Sequence, residues 1–113
     1  MKEKLNLVNN IKKTIIYLDK VVENFPRSEH ALKDKIKSTS FDILELVYYS
    51  NALDVKERIG YQKKIISKLK MLDFYFKISL NKQYINYKKY TKIGNFLLNI
   101  TKQIYGWIKY EKV

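Results

Sequence analysis

Leu7, Ile11, Ile15, Leu18, Val22 and Phe25 follow one another at steps of 4, 4, 3, 4 and 3, with Asn, Lys, Thr and Asp filling the gaps. That rhythm puts six apolar side chains on a single stripe of an α-helix. Pro26 ends it, because proline cannot donate a backbone hydrogen bond and drives Phe25 out of the helical region. Ser28 then offers a hydroxyl to the open amides of a second helix, with Glu29 at its positive end. The second helix spans about residues 29–51, with Leu32, Ile36, Ser40, Ile43 and Val47 inward and Leu44 widening the stripe. Asn51-Ala52-Leu53-Asp54 reads as a short turn with Asp54 capping a third helix, whose inner face is Ile65, Leu69, Leu72, Phe76 and Leu80. Residues 81–86 close that helix and Asn86 caps the fourth. There Tyr90, Ile93, Leu97, Ile100, Ile104 and Trp107 step by 3, 4, 3, 4 and 3, the alternation of a bundle seam.

With one Pro and three Gly, little interrupts these segments, and no strand-like alternation competes. Four amphipathic helices with short links predict an all-α, up-down-up-down antiparallel four-helix bundle, residues 1–113 forming one domain. A further set of apolar residues stands outside the four stripes: Ile16, Val21, Phe41, Tyr48, Ile66, Phe74, Leu98 and Tyr105. A solitary bundle needs one stripe per helix, so a second predicts self-association. Gly94 and Gly106 are read as places where another backbone can come close.

Charge changes the picture along the chain. Residues 1–57 carry ten basic and nine acidic side chains; residues 58–113 carry thirteen basic ones and only two acids, Asp73 and Glu111. Lys outnumbers Arg 21 to 2, and Lys, Ile, Tyr and Asn all have AT-rich codons, so base composition accounts for many of the lysines. It does not account for the disappearance of the acids, which points to a surface for a polyanion, nucleic acid first. On the third helix Lys56, Lys63, Lys70 and Lys77 recur every seven residues as one outer stripe flanked by Arg58, Lys64 and Lys68. On the fourth, Lys88, Lys92, Asn95, Asn99, Lys102 and Lys109 run opposite the apolar seam. The candidate nucleic-acid-binding residues are therefore Lys56, Arg58, Lys63, Lys70, Lys77, Lys88, Lys92 and Lys102. Lysines suit phosphate contacts and carry no code for base reading, so sequence-tolerant binding to DNA or RNA is expected, steeply dependent on salt. Tyr84, Tyr87, Tyr90 and Tyr110 interleave with these lysines, and stack on bases or pack at the bundle rim according to their exposure.

Chemistry is sparse by comparison. His30 is the single histidine and there is no cysteine. No Gly-rich phosphate loop, nucleophile elbow or metal-ligand spacing occurs, and no Glu-x-x-His pair of a metal-carboxylate bundle. A non-enzyme without cofactor, metal or catalytic residues is expected, with Asp42 and Glu45 pairing to a neighbouring helix or subunit. No apolar run approaches ~18 residues, and polar residues interrupt any signal-peptide core. A cytoplasmic protein is expected, and no membrane partner.

Three local features join in order: Phe25-Pro26-Arg27-Ser28-Glu29 before a helix, Asp42-Ile43-Leu44-Glu45-Leu46 within it, and Ile93-Gly94 followed by Tyr105-Gly106-Trp107-Ile108-Lys109. Together they resemble the accessory variability (Avd-like) proteins of diversity-generating retroelements, a branch of the bacterial four-helix-bundle family that also holds proteins encoded in intervening sequences of 23S ribosomal RNA genes. The resemblance implies a basic bundle assembling as a homopentamer, binding nucleic acid, and assisting a retroelement reverse transcriptase in mutagenic copying. Two other readings stay open from the residues themselves. One is a protein–protein scaffold that uses the exposed aromatics as anchors and never touches nucleic acid. The other, weaker for want of a Trp/Phe-rich lipid face, is binding at a membrane surface.

Overall fold

The computed structural model describes residues 2–111, with side chains from Leu5 onward. Four α-helices follow in order: α1 (Lys2–Val22), α2 (His30–Ala52), α3 (Val55–Asn81) and α4 (Tyr87–Glu111), with a single 3-10 turn (Arg27–Glu29) between the first two. Each helix touches its two neighbours in a closed square, α1 on α2, α2 on α3, α3 on α4 and α4 back on α1, with no diagonal backbone contact among the described residues. The chain is thus an all-α four-helix bundle, 45 × 24 × 19 Å.

The periodic stripes form its core. Leu7, Ile11, Leu18 and Val22 of α1 meet Ile36, Ile43 and Val47 of α2, Ile65, Leu69, Leu72 and Phe76 of α3, and Ile93, Leu97, Ile100 and Ile104 of α4, all buried. Each such side chain contributes about 1.5–3 kcal/mol on leaving water. Packing is tight: the space between Ile11, Leu18, Ile43, Leu72, Leu97 and Ile100 amounts to ≈ 10 Å³, about one water. Val21 and Ile66, assigned by spacing to the second apolar set, are buried at 5% and 7% exposure and belong to this core. The square arrangement explains it, since flanking positions on a stripe face the helix next door. Ile16, Phe41, Tyr48, Phe74, Leu98 and Tyr105 of that set do remain exposed.

The connections show which capping residues act. After Val22 the chain turns through Phe25, which is buried against Tyr84 with ring centroids 5.2 Å apart. Ser28 lies inside the 3-10 turn and makes no cap; α2 begins after Glu29 without a side-chain cap bond. Asp54 is the N-cap of α3 in position, but its backbone carbonyl, not its carboxylate, accepts from Glu57 and Arg58 N–H at 3.0 Å. Asn86 caps α4 as its spacing predicts, Oδ1 accepting from Lys89 N–H at 2.7 Å. At the end of α3, Gln83 takes φ 66°, and the amides of Gln83 and Tyr84 bond back to Leu80 and Ser79 carbonyls. This is a Schellman ending, in which a left-handed residue satisfies the last carbonyls. An added methyl at Gly94 or Gly106 would meet open space, so neither glycine serves a close approach within the chain.

Candidate nucleic-acid interface

The structure divides the predicted basic residues into three groups. Arg58 leaves the surface altogether. It is 8% exposed, and its Nε and Nη2 donate to the carbonyls of Ser50 at 2.7 Å and Leu53 at 2.6 Å, the open end of α2. Nη1 pairs with Glu111, whose other oxygen accepts from Gln62 at 3.0 Å, and the guanidinium lies 5.7 Å from the Trp107 ring centre. The expectation that Arg58 contacts nucleic acid is therefore corrected. Five helical positions before the α3 stripe's Lys63, it points to the opposite side of the helix and acts as a cation on α2's negative terminus. Glu111, the last acid of the chain, is consumed by the same arrangement.

Lys56, Lys63, Lys70 and Lys77 form the second group, exposed along the outside of α3. Phe74 stands among them at 53% exposure. This face is not purely basic, because Asp73 lies between Lys70 and Lys77 and accepts a hydrogen bond from the Tyr90 hydroxyl of α4 at 3.2 Å. Partial burial, then the Asp73 charge, holds the Tyr90 phenol above its usual pKa.

The third group gathers where α4 meets α1, and α1 contributes side chains that charge counting overlooked. Asn10 Nδ2 donates to Gln103 Oε1 at 3.0 Å, spanning the two helices. Around that bond two adjoining depressions open, of ≈ 360 and ≈ 250 Å³, sharing Asn10 and Asn99; Lys102 and Gln103 line one, Lys13, Thr14 and Phe96 the other. Further along, Phe96 packs edge-on to Tyr17 at 5.3 Å, and Lys92 Nζ sits 4.8 Å above the Tyr17 ring. Lys92 and Lys102 thus turn toward α1 rather than toward the α3 stripe, while Lys88 is exposed in the first turn of α4. The sequence signal for α1's share was present: Asn6, Asn10, Lys13 and Tyr17 step by 4, 3 and 4 with no acid among them. It was masked because residues 1–57 are nearly balanced in charge when counted as a block.

The carboxylates that pair across helices lie elsewhere. Asp19 pairs with Lys37 at 3.4 Å across α1 and α2, Asp42 with Lys68 at 3.2 Å across α2 and α3, and Glu29 with Lys82 at 3.1 Å. Asp42 so makes the interhelical pair expected of it; Glu45 is exposed. The Glu29 bond raises the Lys82 pKa. Among the described residues none of Lys13, Lys92 or Lys102 is within ion-pair distance of a carboxylate. Among the described residues the α1/α4 furrow therefore presents cations and amides without a competing anion.

Tyrosine exposure is now settled. Tyr87 and Tyr110 are 73% and 65% exposed, whereas Tyr84 and Tyr90 are half-buried. Tyr48, of the second apolar set, and Tyr49 are each 49% exposed, with Tyr49 edge-on to Tyr61 at 4.9 Å. Among the described residues no three His, Asp or Glu side chains come together as a metal site, and no helix is long and apolar enough to cross a membrane. His30 is exposed. No family model matches the chain, and neither a curated protein nor a solved structure does.

Proposed function

We propose that this protein is a non-enzymatic nucleic-acid-binding bundle whose principal contact surface is the furrow between α1 and α4. The observation that carries the reading is the convergence of Lys13, Lys92 and Lys102 with Asn10, Asn99 and Gln103 on a face whose described side chains include no carboxylate. Ammonium groups neutralise phosphates and release their counterions, while amides donate adaptably to phosphate or sugar oxygens. The α3 stripe, Lys56 to Lys77, is an auxiliary basic surface around the corner of the bundle, offset locally by Asp73.

Affinity for mixed-sequence DNA or RNA is expected to be measurable at low salt by fluorescence anisotropy. With three neutralised phosphates per subunit, raising salt from ~50 to ~200 mM weakens binding about 20- to 40-fold. Folded protein that fails to bind at low salt contradicts the proposal.

The exposed apolar residues support self-association as part of the same reading. Ile16 stands one turn from Lys12, Phe41 two turns from Tyr48, and Lys12 Nζ lies 6.0 Å from the Tyr48 ring centre. Ile16, Phe41 and Tyr48 therefore share the α1/α2 face, at 60%, 55% and 49% exposure. A homo-oligomer built on that face keeps the α1/α4 furrow open and repeats it once per subunit. The homopentameric ring and the partnership with a retroelement reverse transcriptase rest on the motif likeness alone. Co-purification with a reverse transcriptase encoded beside the gene tests the last of these.

The same aromatics favour the scaffold as the second reading. It is separated from the first by charge reversal, since a scaffold retains its partner when the furrow lysines are lost.

A further inference from the structure

We infer that the α1/α4 furrow takes single-stranded rather than duplex nucleic acid. The inference rests on the binding role proposed above and concerns the shape of the ligand at the same site. Lys13 and Lys102 are exposed on the two banks of the furrow, one on each helix, and Asn10, Asn99 and Gln103 lie between them. The Asn10–Gln103 bond uses one donor of Asn10 and one acceptor position of Gln103. Each primary amide has two N–H donors and a carbonyl with two lone pairs, so both retain capacity for a ligand. Phe96, half-buried, forms part of the wall of the depression that also holds Lys13 and Asn99.

Packed helix axes stand about 8–10 Å apart, so the channel between the α1 and α4 ridges admits one strand laid along it. A duplex shows its base edges only inside its grooves, and reading them requires a helix or ribbon that enters a groove about 12 Å wide. Neither α1 nor α4 projects: each is flanked by the other and by a second neighbour in the square. A duplex laid across the furrow meets the lysines on the banks, while its paired bases stay out of reach of the floor. A single strand brings both into use, its phosphates on Lys13 and Lys102 and its unpaired bases turned down to Asn10, Asn99 and the Phe96 ring. Lys92, ten residues from Lys102 and so ~15 Å along α4, extends the cationic track for a second stretch of backbone. A furrow of that length holds on the order of four nucleotides, the lower end of single-strand site sizes. Amides that both donate and accept, beside an aromatic wall, tolerate any base.

Competition by anisotropy tests this with a labelled mixed-sequence strand about 12 nucleotides long, as DNA and as RNA, each against its own blunt duplex at the same salt. For at least one of the two chemistries the strand is expected to bind about tenfold tighter than its duplex, a margin that two hydrogen bonds and one aromatic contact supply. The exposed Asn99→Ala is expected to weaken strand binding about fivefold, the worth of one hydrogen bond, and to weaken duplex binding by a distinctly smaller factor. Equal or tighter duplex binding for both chemistries overturns the inference while leaving the proposed function standing; so does an Asn99→Ala effect that is absent or equal on strand and duplex. Absence of binding by strand and duplex alike removes both.

Discussion

Arg58 shows how one residue can carry a basic sequence signature and a structural duty at once. Its guanidinium satisfies carbonyls at the end of α2, pairs with Glu111 near the end of α4 and lies over Trp107, so three helices meet on one side chain. Lysine, with a compact ammonium in place of a planar fork, cannot make these bonds together. Arg58→Ala leaves Glu111, 11% exposed, without its cation and α2 without its terminal donors. We expect it to destabilise the fold by about 3–5 kcal/mol in urea unfolding, with Arg58→Lys recovering only part. Unchanged stability together with lost nucleic-acid binding would return Arg58 to the interface. Asp73 illustrates the converse, an acid in a lysine field that is occupied locally by Tyr90.

Among the elements, the two asparagine and aspartate caps differ in a way that stability measurements resolve. The Asn86 side chain bonds the Lys89 amide at 2.7 Å, whereas the Asp54 side chain makes no cap bond. Asn86→Ala is expected to cost about 1 kcal/mol in thermal or urea unfolding, and Asp54→Ala distinctly less; equal costs would contradict the assignment. The helices themselves were legible because their stripes have helical period and their breaks coincide with Pro26, the turn at Asp54 and Asn86. Less legible was everything that depends on which helices are neighbours. Val21 and Ile66 look like surplus surface apolars on their own helices and become core only when a neighbour covers them. Arg58 looks like one more cation beside the α3 stripe until α2 ends next to it. Lys13 and Asn10 gain meaning only from α4, ninety residues on in sequence, where Gln103 and Asn99 complete the furrow.

For the molecule as a whole, the closed square of helices assigns its faces different properties. The α1/α2 side exposes Ile16, Phe41 and Tyr48, the α3 side a lysine stripe around Phe74, and the α1/α4 side a furrow with no acid among its described lining residues. If the apolar side associates, Phe41→Glu is expected to lower the mass seen by light scattering to that of the 13.6 kDa chain, while the unchanged protein runs as an oligomer. A monomer in both cases contradicts self-association. Repetition of the furrow around an assembly raises avidity by orders of magnitude without any new contact, provided one strand reaches two subunits. The central claim is that nucleic acid binds in the α1/α4 furrow, and paired charge reversals test it most directly. Binding of one labelled single strand at ~50 mM salt is compared for Lys13→Glu with Lys102→Glu and for Lys63→Glu with Lys70→Glu, circular dichroism confirming the fold of each. The furrow pair is expected to weaken binding at least tenfold and to flatten the salt dependence, and the α3 pair to change it by no more than about threefold. Loss confined to the α3 pair, with the furrow pair binding normally, would contradict the account.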